Sequence, residues 1–84
     1  MYRIKYEWVG DWHKLEISND GSLFDIIDGG QRYVLQRLAE FAYNHGNNAE
    51  LNIDENLSNE AKAARMAIVI GLRAKSLEDK IGQR

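Results

Sequence analysis

The fold is decided by residues 2–18, YRIKYEWVGDWHKLEIS. Polar and apolar residues alternate from Tyr2 to Val9, which is the period of a β-strand with one buried face. Gly10-Asp11 suits a two-residue turn, because a type II′ turn needs positive φ at its first central residue. A second strand then begins at Trp12, so the stretch predicts an antiparallel hairpin.

The register of this hairpin follows from the turn. It gives two pairs of opposite charge on one face and two apolar pairs on the other: Lys5 with Glu16, Glu7 with Lys14, Ile4 with Ile17, and Tyr6 with Leu15. Each pair stabilises the sheet by only ~0.2–1 kcal/mol, but a slip of one residue would break all four together. The agreement of all four pairs therefore predicts this register.

The segment after the hairpin is ambiguous. A turn is predicted at residues 19–22, and the apolar run from Leu23 to Ile27 is too short for its period to distinguish strand from helix. Ser22 with Asp25 three residues later matches a helix-capping pattern, whereas the β-branched pair Ile26-Ile27 favours a third strand. We expect a short helical turn here, with the strand as the alternative.

Two amphipathic helices are predicted in the rest of the chain. Apolar residues recur at intervals of three and four from Gln31 to His45, and Gly46 is placed to end that helix in the left-handed conformation. Glu50 to Asp54 is a candidate edge strand, with a loop as the alternative. Ser58 is a good N-cap for a second helix from Ser58 to Lys75, in which Met66 to Leu72 is apolar nearly all round. Ser76 either continues this helix or caps a last short one through Leu77 and Ile81.

These elements predict one α+β domain over residues 1–84, a two-layer sandwich of an N-terminal hairpin packed against two helices, with a third short strand as the alternative for the segment after the hairpin. At 84 residues a small core leaves stability marginal, so a homodimer is plausible. Its interface would lie in the apolar part of the second helix: Met66, Ile68, Val69, Ile70 and Leu72.

The composition excludes several classes of protein. With no cysteine there is no disulfide framework, thiolate metal site or cysteine nucleophile, and a cytoplasmic location is expected. The first residues do not resemble a signal peptide, and residues 66–72 are too short an apolar run to cross a membrane. A net charge of -2 argues for neither a polyanion nor a polycation as partner.

No pattern of catalytic or metal-binding residues is visible. His13 and His45 have no carboxylate at a recognised spacing. Packing or a rim contact explains His13, and a favourable interaction with the negative C-terminal end of the helix explains His45. Asp25 and Asp28 lie beside Gly29-Gly30, but two acids would repel the phosphate that a glycine pair before a helix can bind. We therefore expect a protein that is not an enzyme and uses no cofactor or metal.

The favoured function is a protein–protein interaction module, a small regulator or inhibitor that occludes a basic site on a larger macromolecule. The middle of the chain is acidic, which suits a basic partner surface. Tryptophans flank the hairpin turn, and aromatic side chains often supply most of the binding energy of a protein interface. The candidate contact residues are Trp8, Trp12, His13, Asp25, Asp28, Asp54 and Glu55.

The alternative function is nucleic-acid binding by the basic second helix. Its candidate residues are Lys62, Arg65, Arg73, Lys75 and Lys80. The sequence pI of about 5.6 argues against it, because nucleic-acid-binding domains are usually basic.

Overall fold

The computed structural model describes residues 1–53 and 57–82, and in it a four-stranded sheet packs on one side against two helices. The elements are β1 (Tyr2–Val9), β2 (Trp12–Asn19), β3 (Ser22–Gly29), α1 (Gln31–His45), a 3₁₀ turn (Gly46–Asn48), β4 (Ala49–Asn52) and α2 (Asn59–Gly82). The strand order is β3-β2-β1-β4, with β4 parallel to β1 and the other pairs antiparallel. The predicted two-layer α+β class is confirmed.

The N-terminal hairpin has the predicted register. All four predicted pairs are present, and Gly10 in the turn has a φ of 57°. One face of each strand is buried, so the core contains Ile4, Tyr6, Leu15 and Ile17. The alternation of the sequence is therefore the alternation of a sheet that is covered on one side only.

The expected helical turn at Leu23 to Ile27 is wrong, because this segment is part of the strand β3. Asp20 and Gly21 both have positive φ, 51° and 87°, so they form the tight mirror-image turn that joins antiparallel strands. Ile27 then lies opposite Leu15 and is buried. Pairing with β2 along the whole segment outweighs the single capping interaction on which the helical expectation depended.

The helix α1 has the predicted bounds, but the expected role of Gly46 is wrong. Gly46 is right-handed, with a φ of −60°, and its amide donates to the carbonyl of Ala42. A Cβ at this position would lie 2.5 Å from Cδ2 of Leu72. Glycine at position 46 therefore leaves room for the side chain of Leu72 from α2, and its backbone is not left-handed.

The predicted edge strand and second helix are both present. β4 (Ala49–Asn52) lies beside β1, and Asp54 lies outside the described residues. The amide of Ala61 donates to Oγ of Ser58 at 3.1 Å, as expected for an N-cap. α2 then continues without a break to Gly82, well beyond the expected end at Lys75.

The two helices run side by side in the same direction. Leu35 and Met66 line one hollow between them, Gly71 lies against the backbone of Ala39, and the amino group of Lys75 lies over the ring of Tyr43. Every residue from 76 to 82 is exposed. The last seven described residues of α2, about 10 Å of helix, therefore extend past the contacts with α1.

Candidate interaction surfaces

The outer face of the sheet carries no covering layer within the described residues. Its centre is a chain of charges: Lys5 lies 3.0 Å from Glu7, which lies 3.9 Å from Lys14, which in turn lies 4.0 Å from Glu16. The hydrogen bond from Lys5, with its positive charge, lowers the pKa of the Glu7 carboxyl. Signs alternate along this chain, so the centre of the face has little net charge.

Trp12 lies on this outer face at the end of the hairpin. Its side chain is 58% exposed, and its cross-strand partner Val9 is 83% exposed. Asp11 precedes Trp12 in the turn. Asp28 of β3 lies opposite Lys14 and is therefore diagonal to Trp12, an arrangement that places the two Cα atoms about 7–8 Å apart. Trp12, Val9, Asp11 and Asp28 are hereafter the hairpin patch.

Trp8 and His13 lie on the opposite, helix-covered face. Trp8 is half-buried, with its ring centroid 5.4 Å from that of Tyr6. His13 is only 4% exposed, and its Nδ1 shares a hydrogen bond of 2.5 Å with the hydroxyl of Tyr6. Burial, and then the charge of Glu60, raise the pKa of Tyr6 to about 12. This pair is a satisfied core interaction, and His13 is not placed for direct contact with a partner.

The predicted acidic residues do not form one surface. A bulge in β3 places Asp25 on the helix side, where its Oδ1 accepts a hydrogen bond of 2.8 Å from the amide of Ile26. Asp28 is exposed on the outer face, and Asp54 and Glu55 lie outside the described residues. Of the five predicted contact residues that the structure describes, Trp12 and Asp28 are the two that lie close together on an exposed face.

His45 is part of an aromatic cluster at the end of α1. Its ring centroid lies 4.8 Å from that of Tyr2, 5.0 Å from that of Phe41 and 6.1 Å from that of Phe24. Its packing role is therefore larger than the interaction with the helix end that the sequence suggests. Among residues 1–53 and 57–82, no three potential metal ligands come together.

The basic residues of α2 divide into two groups. Lys62, Arg73 and Lys80 are separated by 11 and 7 residues, so they share one exposed side of the helix. Lys75 instead pairs with Asp79 at 3.5 Å, and Arg65 lines a hollow beside β4. Three of the five predicted nucleic-acid contacts therefore form a row, which hereafter is the basic flank of α2.

Beside the basic flank runs a row of exposed apolar side chains, hereafter the apolar stripe. Its large members are Met66 (56% exposed), Ile70 (56%), Leu77 (60%) and Ile81 (67%). Two adjoining hollows of about 400 and 410 Å³ separate the stripe from α1, and Leu35, Ala39 and Tyr43 line their far side. The other residues predicted for a dimer interface, Ile68, Val69 and Leu72, are largely covered within the chain.

The sequence prediction found the first half of this stripe and missed Leu77 and Ile81. The signal was available, because positions 70, 74, 77 and 81 continue the spacing of four, three and four. The expected second helix was taken only to Lys75, with Leu77 and Ile81 either in its continuation or in a last short helix, so neither residue was included in the predicted interface.

Comparisons of the chain with protein-family models, with curated proteins and with solved structures give no match. Neither helix, over the part of the chain that the structure describes, combines the length and the apolar character needed to cross a bilayer. The function must therefore be inferred from the surfaces themselves.

Proposed function

We propose that this domain is a non-enzymatic protein–protein interaction module, a small regulator or inhibitor that occludes a basic site on a larger macromolecule. The contact is made by the hairpin patch. The single observation that carries the proposal is the exposed indole of Trp12 on a sheet face without a covering layer. In binding energetics, tryptophan is among the side chains most often responsible for a large share of affinity.

Trp12 contributes less to the packing of the hairpin than its indole could contribute to an interface. Trp8 already covers the core side next to Tyr6, whereas Trp12 and Val9 project from the far side. Transfer of a large side chain from water into an interface contributes about 1.5–3 kcal/mol. A partner that covers Trp12 and Val9 thus gains more from them than the free domain does.

The preference for a basic partner depends on the acids around Trp12. Asp11 and Asp28 are both exposed, and Lys14 is the nearest opposing charge on β2. Rim charges of this kind mainly accelerate association and make it sensitive to salt, whereas a buried aromatic residue slows dissociation. The two kinds of contact can therefore be distinguished by kinetics.

The test begins with capture of binding proteins on immobilised domain, followed by kinetics with the protein that is captured. Trp12→Ala should leave the circular dichroism and the melting curve nearly unchanged but speed dissociation at least tenfold. Leu57→Ala is the matched control, because Leu57 is an 87% exposed apolar residue outside the patch. Asp28→Lys should slow association and flatten its salt dependence.

Three results would contradict the proposal. Unfolding of Trp12→Ala would mean that the indole is structural. Equal dissociation rates for the wild type, Trp12→Ala and Leu57→Ala would place the contact elsewhere. A captured partner whose contact surface is acidic would contradict the claim that the domain occludes a basic site.

A second candidate function is nucleic-acid binding by the basic flank of α2. The observation that favours it is the common side of Lys62, Arg73 and Lys80, which spans about 27 Å. Gel retardation of a 20-base-pair duplex and of single-stranded DNA at ~0.15 M salt tests it, because phosphate contacts weaken steeply with salt. This function would be favoured over the first if the wild type retards the nucleic acid, Arg73→Glu abolishes the retardation and Asp28→Lys retards it as strongly as the wild type.

A further inference from the structure

The second half of α2 combines features that belong to a helix with a partner. Ile70, Ala74, Leu77 and Ile81 follow the four-three-four spacing of a helix–helix seam, and all four are exposed. From position 76 to the last described residue, 82, every residue of α2 is exposed. A helical segment as short as the end of α2 is stabilised mainly by packing. Apolar side chains that face water there stabilise the segment little.

We propose that the apolar stripe is the interface with a second copy of this chain, in which the two α2 helices pack side by side in parallel. The two-fold axis then runs along the helices, and Ile70, Leu77 and Ile81 each meet their own counterparts. Met66 and Ile70 of one copy enter the hollows between α1 and α2 of the other. This surface faces away from the sheet, so the proposal is independent of the hairpin patch.

The charges beside the stripe select this partner and this direction. Lys62, Arg73 and Lys80 lie along one flank, and Glu78 lies on the opposite flank. A two-fold axis parallel to the helices places the basic flank of one copy against the acidic flank of the other. In parallel helix pairs the residue nearest to Arg73 across such a seam is five positions later, which is Glu78 of the second copy.

An antiparallel pair does not have this complementarity. A two-fold axis perpendicular to the helices keeps each flank on the same side, so the basic flank would face the basic flank of the second copy. Arg73 would then lie among positive charges. Like charges across an interface oppose binding, so the parallel arrangement is the one that this sequence favours.

The size of the surface sets the expected affinity. The stripe from Met66 to Ile81 is about 22 Å long on a helix ~10–12 Å wide. Even with the adjoining wall formed by Leu35, Ala39 and Tyr43, this lies at the small end of the ~800 Å² that each partner of a stable complex usually buries. The dimer should therefore dissociate on the order of micromolar concentrations.

The first experiment measures mass against concentration by light scattering and sedimentation from about 1 to 500 μM. The wild type should change from monomer to dimer in this range. Ile70→Asp should weaken the dimer more than about 100-fold while it keeps the helical circular dichroism of the monomer. Val9→Asp is the control, because it places the same charge at an exposed apolar residue of the sheet face and should leave dimerisation unchanged.

The second experiment tests the direction of the helices. In the parallel dimer Arg73→Glu faces Glu78 of the second copy, so dimerisation should weaken by roughly 3- to 30-fold, and the double variant Arg73→Glu with Glu78→Arg should restore it. An antiparallel dimer would respond to Arg73→Glu in the opposite sense and become tighter. Because the chain contains no cysteine, Leu77→Cys adds a single thiol to each copy, and added diamide, which accepts the two electrons and two protons, should rapidly oxidise the two thiols to a disulfide-linked dimer.

A wild type that stays monomeric at 500 μM would overturn the proposal, as would a dimer that Ile70→Asp leaves intact. A dimer that Arg73→Glu tightens, and that Leu77→Cys does not cross-link, would overturn the parallel arrangement.

Discussion

Gly71 is the point where the two helices come closest, so its replacement by alanine tests the packing of the helix layer. A Cβ added there would overlap the carbonyl oxygen of Ala39 and lie 2.9 Å from both Cβ of Ala42 and the amide nitrogen of Tyr43. Two of these three obstacles are backbone atoms of α1, so no side-chain rotation relieves the contact. Alanine could be accommodated only if the helices moved apart.

Two opposing terms decide the outcome of Gly71→Ala. Alanine in a helix interior is favoured over glycine by about 1 kcal/mol. Overpacking against a rigid neighbour costs about 1–3 kcal/mol, and separation of the helices also loosens contacts along their length. The steric cost should exceed the gain in propensity, so we expect a net loss of about 1–2 kcal/mol.

Urea unfolding followed by circular dichroism measures this loss, and a decrease in melting temperature of roughly 4–15 °C should accompany it. Gly82→Ala is the matched control, because its added Cβ would have no neighbour within 4 Å and should be neutral or slightly stabilising. If Gly71→Ala were as stable as Gly82→Ala or more stable, the close approach of the helices would be wrong. Measurements in the Ile70→Asp background, which weakens the dimer proposed above, keep dimerisation from contributing to the measured stability.

Two further predictions concern the core and the sheet edge. Tyr6→Phe leaves the buried Nδ1 of His13 without its partner and should cost about 1–3 kcal/mol at pH 7. The folded-state pKa of Tyr6 is raised from 10.0 to about 12, so its contribution to stability is present below pH 10 and is lost as pH rises towards 12. Unfolding of the wild type and the variant at several pH values should therefore show a wild-type advantage that shrinks by up to about 3 kcal/mol between pH 10 and pH 12. Asp25→Ala frees the amide of Ile26 at the edge of the sheet and should speed aggregation in a light-scattering assay at 37 °C. Asp28→Ala removes the same charge from the exposed outer face of the same strand and should not. Equal aggregation rates would mean that Asp25 does not protect this edge.

The hairpin was predictable because its information is local and redundant. Four side-chain pairs and one turn all require the same register, so an error in any single inference would have been visible in the others. The strand β3 lacked this redundancy. Its inner face is interrupted by Asp25, and its bulge breaks the alternation that would have identified it. Only the sheet as a whole determines the state of such a segment.

The surfaces were harder to predict than the fold, because the sequence does not say which apolar residues remain uncovered. Tryptophans at positions 8 and 12 look equivalent in the sequence, yet one packs beside Tyr6 and the other is exposed. Gly46 shows a related limit. Glycine there suggested a left-handed helix end, but the residue that a side chain at position 46 would meet is Leu72. It lies 26 positions later in the chain, so no rule based on neighbouring residues connects the two.

The edge strand β3 and the apolar stripe of α2 differ in how they are protected, and this difference bears on where a partner binds. β3 carries exposed Leu23, Phe24 and Ile26. It also has two features that discourage pairing with another strand: a bulge, and the carboxylate of Asp25, which accepts the hydrogen bond of the Ile26 amide. The stripe of α2 has no comparable device. Its centre contains no charge from Ile70 to Ile81 at the seam positions, and its charged residues lie along the flanks, where they specify a partner instead of repelling one. This difference in protection favours the apolar stripe over the edge of β3 as the site of the proposed contact between two copies of the chain.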